Sequence, residues 1–276
     1  MSKVSDLLEQ ELVTLVEDYI GQRIPYDLPR WLIDEGVRPG ARIVAVDGIG
    51  SKSRLNKTDV LIILESSSPI KISAKLANAD YFGNWYSHKR FLDEFGFEAF
   101  ERMTKASTAF ANKWAETALA PFVGVSICFG KRKGLTGQDF TDIFTSKDIL
   151  TVARGLGDGD STANCMYIAD YVPRTIEELI DCLQEISIET VNEATENFKV
   201  AHRPINPITE GTNRGKNVYT RFQPYKRLPK PTVIREPDIL FSLGRFVTVE
   251  PDGLNHNHIL NELEEKYNII VPRKQK

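Results

Sequence analysis

The sequence is poor in cysteine. Cys128, Cys165 and Cys182 are odd in number and widely spaced. Such a set builds neither a disulfide framework nor a zinc site, which points to a reducing, cytoplasmic setting. No apolar stretch approaches the roughly 18 residues of a membrane helix, so no membrane partner is expected. The N-terminal segment lacks the basic-then-apolar pattern of a signal peptide. Internal repeats and low-complexity tracts are also missing. An excess of one charge is absent too, since 35 Lys and Arg face 38 Asp and Glu, a formal net charge of −3. A nucleic-acid partner would therefore have to meet basic residues gathered on one face. What remains is a chain of 276 residues with 41% hydrophobic content, enough for one large core.

Residues 4–20 carry Leu8, Leu12, Leu15, Val16 and Tyr19 at helical spacing, with Ser5 as N-cap. Residues 25–40 contain three prolines and read as a loop with a short helix around Trp31. A strand is expected at 42–47. Residues 59–65 (DVLIILE) and 70–76 (IKISAKL) are strands flanking a turn of Ser66, Ser67, Ser68 and Pro69. Helices are expected over 84–119, 146–153, 174–199 and 256–267. Buried or ordinary strands are expected at 121–129 and 239–249, with a loop over 201–237. Mixed strands and helices of this kind imply an α/β fold with a central mixed β-sheet flanked by helices.

The segment 59–75 carries the chemistry. A turn centred on Ser67 sets Asp59 opposite Lys75 and Leu61 opposite Ser73. Period-2 alternation then puts Asp59, Ser73 and Lys75 on one face. A solvent-facing cross-strand ion pair would look the same and be worth only a few tenths of a kcal/mol. Phosphodiester hydrolysis also needs such a group. A carboxylate holds Mg²⁺, a hard cation that prefers oxygen ligands. A neighbouring ammonium orients water or stabilises the transition state.

With an Asp opening one strand and Ser73-Ala74-Lys75 on the next, the chain resembles the PD-(D/E)xK nuclease superfamily, and within it the type II restriction endonucleases. The resemblance covers about residues 5–130, in the order helix, strand, hairpin, helix, strand. It implies a restriction-endonuclease-like core at about 5–130 within a single nuclease domain spanning 1–276, with DNA-contacting loops in 131–276. It implies Mg²⁺ as cofactor, Asp59 as metal ligand, Lys75 beside the attacking water, double-stranded DNA as partner and a homodimer. Ser73 stands where the family has its second acid. Glu94, or else Asp93 or Glu98, could replace it from the following helix. Glu17 or Glu11 could do so from the N-terminal helix, and the sequence leaves this open. A repair or recombination nuclease, and a non-catalytic DNA-binding module on the same fold, are the other readings. Pro251-Asp252 with Glu264-Glu265-Lys266 matches the motif as text, but helical spacing there sends Glu264 and Lys266 apart. His256-Asn257-His258 resembles an HNH nuclease without its spacing, and a polar turn before a helix explains it.

Two segments could hold DNA. Residues 76–91 mix Asn78, Asp80, Asn84, His88, Lys89 and Arg90 with Tyr81, Trp85 and Tyr86. Residues 211–235 hold Arg214, Lys216, Arg221, Lys226, Arg227, Lys230 and Arg235 without an acid, interleaved with Tyr219, Phe222 and Tyr225. A loop that orders on a groove fits the latter, as does a plain flexible loop. Lys131-Arg132-Lys133 is a smaller basic patch, and the Gly- and Asp-rich 155–161 reads as a loop.

Overall fold

The computed structural model describes residues 3–49, 56–83, 85–132, 134–157, 159–210 and 216–274. Asn84, Lys133, Asp158 and Arg214 lie outside the described residues. The chain divides into two compact units. Met1–Phe82 and Ser146–Phe198 form the first, and Gly83–Thr145 and Lys199–Lys276 the second. The sheet carrying the 59–75 hairpin is therefore built from two distant stretches of sequence.

In chain order, the first unit opens with α1 (Lys3–Glu17), α2 (Arg30–Asp34), β1 (Ile43–Gly48), β2 (Val60–Leu64) and β3 (Ile70–Lys75). After β4 (Tyr81–Gly83), the second unit begins with α3 (His88–Ala115), β5 (Val125–Gly130) and β6 (Gly137–Asp139). The chain returns to the first unit with α4 (Asp148–Arg154), β7 (Cys165–Ile168), α5 (Ile176–Cys182), β8 (Leu183–Glu185) and α6 (Ile188–Thr195). It ends in the second with β9 (Lys199–Pro204), α7 (Pro207–Glu210), β10 (Arg221–Pro224), β11 (Thr232–Val233), α8 (Pro237–Ser242), β12 (Gly244–Val247), α9 (His256–Tyr267) and β13 (Ile269–Ile270).

The first unit is an α/β layer around a five-stranded sheet ordered β1-β2-β3-β7-β8. Strands β1, β2 and β3 run antiparallel, β7 is parallel to β3, and β8 is antiparallel to β7. The sheet is thus mixed. Helix α1 lies over β1, β2 and β3, burying Leu8, Leu12 and Val16 with Val60, Ile62, Ile70 and Ile72. Strand β7 is buried along Cys165, Met166 and Tyr167. A strand covered on both faces needs no polar alternation.

The hairpin register differs from expectation by two residues. Val60 pairs with Ile72 and Leu61 with Lys71, so the ladder runs toward Asp59 opposite Ser73 rather than Lys75. Ser66, with φ 53°, sits at the centre of the turn in place of Ser67. A shift of two preserves the face of every side chain, because the pleat repeats every two residues.

Other expectations are corrected. Strand β5 joins β9 in a separate sheet of the second unit, so 121–129 does not extend the hairpin sheet. Helix α4 and strand β7 take that place. Residues 174–199 are two helices separated by β8, with β9 beginning at Lys199. Residues 201–237 hold β10 and β11 as well as loop, and 239–249 begins inside α8, where Pro237 occupies the first turn. Helix α3 is broken at Gly96, whose φ of 77° and ψ of 177° are non-helical and are open to glycine at little cost.

In the second unit, Phe122, Val125, Phe222, Phe246, Ile259 and Leu263 form one buried core. His202 on β9 is buried there. Its ring stacks on Phe110 at 4.4 Å, and Nε2 lies 3.0 Å from Gln138 Oε1. Burial holds its pKa down at about 4, below its ordinary value, so the folded state favours the neutral ring. The stability this gives is present above the unfolded value of about 6.5 and is lost as pH falls through about 4. Urea unfolding should therefore lose about 3 kcal/mol across that window. H202Q should lose much less over the same range, and an equal loss in both proteins would refute this role.

Candidate active site

At the open end of the hairpin, Asp59 and Lys75 meet. Asp59 precedes β2 and anchors to β3 through its backbone, with its N–H donating to Ile72 O at 2.8 Å. Its carboxylate Oδ2 accepts the Ala74 N–H at 2.8 Å and Lys75 Nζ at 3.1 Å. Lys75 also donates to the Ala74 carbonyl at 2.8 Å. Side-chain exposures of 10% for Asp59 and 21% for Lys75 set the pair apart from a solvent-facing one. An ammonium has three N–H donors, and these contacts engage two. The third is left for a water or a phosphate oxygen. Asp59 Oδ1 accepts no hydrogen bond from a described residue.

A third group is one that the sequence reading did not select. Glu9, on α1, is half-buried, and its pKa is raised to about 7. Burial is the first cause and the negative charge of Asp59 the second, opposed by Lys75. Glu9 thus shares one electrostatic environment with the hairpin pair. Glu17 and Glu11, the expected helix acids, are both exposed. The helical wheel explains the choice. At 100° per residue, Glu9 lies about 60° from the centre of the Leu8-Leu12-Val16 row, Glu11 about 100° and Glu17 about 140°. Counting Leu15 and Tyr19 as core shifts that centre and hides the difference. Both are only half-buried.

Ser73 is buried on β3, beside Met166 of β7. Glu94, the expected replacement, is engaged in a buried ion pair. It lies in the second unit, 3% exposed, against Arg90 Nε at 2.7 Å and accepting the Tyr86 hydroxyl at 2.7 Å. Asp93 and Glu98 are exposed on α3 in the same unit.

The candidate DNA contacts divide between the two units and differ in exposure. Asn78 is exposed in the turn after β3, where the adjacent Ala77 N–H donates to Asp170 at 2.9 Å. Asp80 is exposed, Tyr81 is half-buried, and Lys89 is exposed at the start of α3. His88 is corrected to a core residue. It is 1% exposed, accepts the Gly253 N–H at Nδ1 and faces Val218 O at 2.8 Å with Nε2. Burial lowers its pKa, and those two partners require the neutral Nε2–H form. Arg90 belongs to the Glu94 pair.

Arg221 is paired with Glu262 at 2.7 Å, inside the β10–β12 ladder. Tyr219 and Phe222 are fully buried, so these two of the interleaved aromatics are core, while Tyr225 is exposed. Lys226 and Arg227 are exposed, with Arg227 donating to Asn268. Lys216 lies over the Trp85 ring. Glu264 and Lys266 are on α9, and Asn255 caps that helix by accepting the N–H groups of Asn257 and His258.

Among the described residues no cluster of three or more His, Cys, Asp or Glu is arranged to hold a metal. Asp59 and Glu9 offer two carboxylates. Mg²⁺ is commonly held by one or two, with water and phosphate completing its shell, so this oxygen-only donor set fits it. No described helix is long and apolar enough to cross a membrane. Comparison of the chain with family models, curated proteins and solved structures returns no match.

Proposed function

We propose that the first unit is the catalytic core of a Mg²⁺-dependent DNA endonuclease of the restriction-enzyme type. The observation that carries this reading is the buried Asp59–Lys75 pair at the mouth of an antiparallel hairpin, with the acid Glu9 coupled to it from the helix above. The element order supports it as well. Helix α1, strand β1, hairpin β2–β3, helix α4 and strand β7 follow the order that the resemblance implies, with 83–145 inserted between hairpin and helix. In this reading, Asp59 and Glu9 would hold Mg²⁺. When bound, the metal supplies a water acidified toward hydroxide and offsets charge on the phosphate. The Ala74 N–H and Lys75 hold Asp59 by Oδ2, which leaves Oδ1 for the metal in this reading. Lys75 keeps one N–H for the attacking water or a phosphate oxygen. Ser73 contributes no charge, and Glu9 takes over the role of the missing acid. Cutting both strands with one site per chain calls for a two-fold pair of chains.

Plasmid DNA incubated with the protein and Mg²⁺ should give discrete fragments. A smear would favour a nuclease that reads DNA structure. Binding without any cleavage would favour a DNA-binding module, the reading that the serine at position 73 leaves open. Glu9→Gln should lower cleavage by about 10²-fold and remove the Mg²⁺-induced rise in Tm. Because Glu9 is driven up to about 7, its stability contribution is full below about 4.5 and is lost as pH rises through about 7. Mg²⁺ should therefore raise the wild-type Tm more at pH 8 than at pH 6. An equal rise at both pH values, or in E9Q, would remove Glu9 from the metal site.

A further inference from the structure

The outer face of the β10–β12 ribbon, in the second unit, carries exposed cations. Phe222, Pro224 and Phe246 alternate inward and are buried. Gln223 and Arg245, directly opposite each other across the two strands, alternate outward, and Arg245 is exposed. The same alternation carries this face on to Tyr225, which is 68% exposed and whose N–H donates to Leu243 O at 2.9 Å. Beyond it, Lys226, Arg227 and Lys230 are exposed on the segment 226–231.

That segment is fastened to the C-terminal end of α9. The Leu228 N–H donates to Tyr267 O at 3.0 Å, and the Thr232 N–H to Asn268 O at 2.9 Å. The Asn268 side chain donates to Leu228 O at 2.7 Å and accepts from Arg227 Nη2 at 3.3 Å. Gln223 Nε2 donates to the Tyr267 hydroxyl at 2.6 Å, which ties the ribbon to the same helix end. Pro229 and Pro231 lock their own φ and drive Leu228 and Lys230, the residues before them, to extended backbone. The cations therefore stand on a stiff frame, and a ligand need not supply the entropy of ordering it.

Among the described residues no carboxylate pairs with Lys226, Arg227, Lys230 or Arg245. Glu262, which reaches Arg221 on the ribbon at 2.7 Å, is also shared with Lys266 at 3.5 Å, so its own charge is offset. A surface usually intersperses the two signs, and here four cations lie together without an acid between them. Arg227 and Lys230 alone are three extended residues apart, about 10 Å. A lone phosphate would use part of such a row, whereas a polyanion would use all of it.

We propose that Tyr225, Lys226, Arg227, Lys230 and Arg245 form a surface that binds the phosphate backbone of duplex nucleic acid. This deepens the endonuclease reading, and it rests on that reading for DNA as the polyanion. The tyrosine hydroxyl adds a neutral donor to a phosphate oxygen.

The test is equilibrium binding of a fluorescent DNA duplex to the full chain without divalent metal, across a salt series. Each phosphate contact removed should flatten the slope of log K against log salt by about 0.9, and so weaken binding about tenfold near 0.1 M salt. R245Q should lose one such step, and K226Q with R227Q and K230Q about three. K105Q with K113Q, exposed cations on α3 of the same unit, should keep the wild-type slope. Y225F should bind more weakly with the slope unchanged, since a hydroxyl displaces no counterion, and wild-type affinity would strike Tyr225 from the surface. Circular dichroism melts control for folding, and K226Q with K230Q serves if R227Q loosens the segment. Inorganic phosphate competing at micromolar concentration, or poly-glutamate competing as well as unlabelled duplex, would overturn the polynucleotide assignment. A wild-type slope in the triple variant, or equal flattening by the α3 pair, would overturn the surface and leave the nuclease reading untouched. Flattened slopes in a protein that never cleaves would do the reverse. Absence of duplex binding by the wild type, with or without divalent metal, would overturn both.

Discussion

Asp59→Asn and Lys75→Met should each lower Mg²⁺-dependent cleavage of plasmid DNA by about 10³-fold, the scale for removing one preorganised charged group from a reacting centre. The two changes act on one device. Lys75 Nζ and the Ala74 N–H both donate to Asp59 Oδ2, and Oδ1 is the oxygen left for the proposed metal. D59N keeps an oxygen for the Ala74 N–H but loses the charge. K75M keeps the Asp59–Ala74 bond but loses the donor to water or phosphate. The double variant should be little worse than either single one, because groups that act together are not additive. Metal-free duplex binding should persist, since the pair offers at most one contact among the many that a duplex backbone makes. Tm should fall by several degrees, more in K75M, which leaves the Asp59 charge without its ammonium, so circular dichroism melts fix the folded fraction to which cleavage is referred. Normal cleavage by either variant would end the assignment of this hairpin as the catalytic one.

The hairpin was legible because its signal is local. A β-branched run after Asp59, a serine turn with Pro69, and alternation in IKISAK together determine which side chains share a face. They do not determine the register, which depended on the Ser66 backbone. The error of two residues was harmless to the chemistry for the same reason that it was invisible: the pleat has period two. The acid proposed to join the pair was only partly legible. Glu9 sits beside Leu8 in the sequence, yet choosing it required knowing that Leu15 and Tyr19 are only partly covered, a tertiary fact.

The rest of the sheet was not legible. Strand β7 is four residues long and follows a Gly- and Asp-rich loop, so no periodicity marks it. Its parallel pairing with β3 spans the inserted segment 83–145. Strand β8 lies inside a stretch where Leu179, Leu183 and Ile186 mimic a helical stripe, and only packing against β7 separates the two. The family order of helix and strand after the hairpin was therefore read onto α3 and β5, the first helix and strand to follow in sequence. They belong to another sheet.

Glu94 gives the sharpest separation between a structural and a catalytic acid. Its carboxylate accepts from Arg90 Nε at 2.7 Å and from the Tyr86 hydroxyl at 2.7 Å, while Arg90 also donates to that hydroxyl at 3.0 Å. The guanidinium lies 4.0 Å from the Tyr86 ring centre. Burial, with the Glu94 charge beside it, pushes the Tyr86 hydroxyl well above its usual pKa, so it stays a donor. Phe91, Phe95 and Phe129 close around Tyr86. Glu94→Ala would leave the Arg90 charge buried and the Tyr86 hydroxyl without its acceptor. The expected loss is about 3–5 kcal/mol, the range for breaking a buried ion pair from one side. Replacing both partners by apolar residues, E94L with R90M, should recover much of that loss, because no orphaned charge remains. Urea unfolding measures each stability. Cleavage per folded molecule should stay near wild type in the double variant. A metal ligand would behave in the opposite way, with E94A folding normally and cleaving nothing, and that outcome would restore Glu94 to the site.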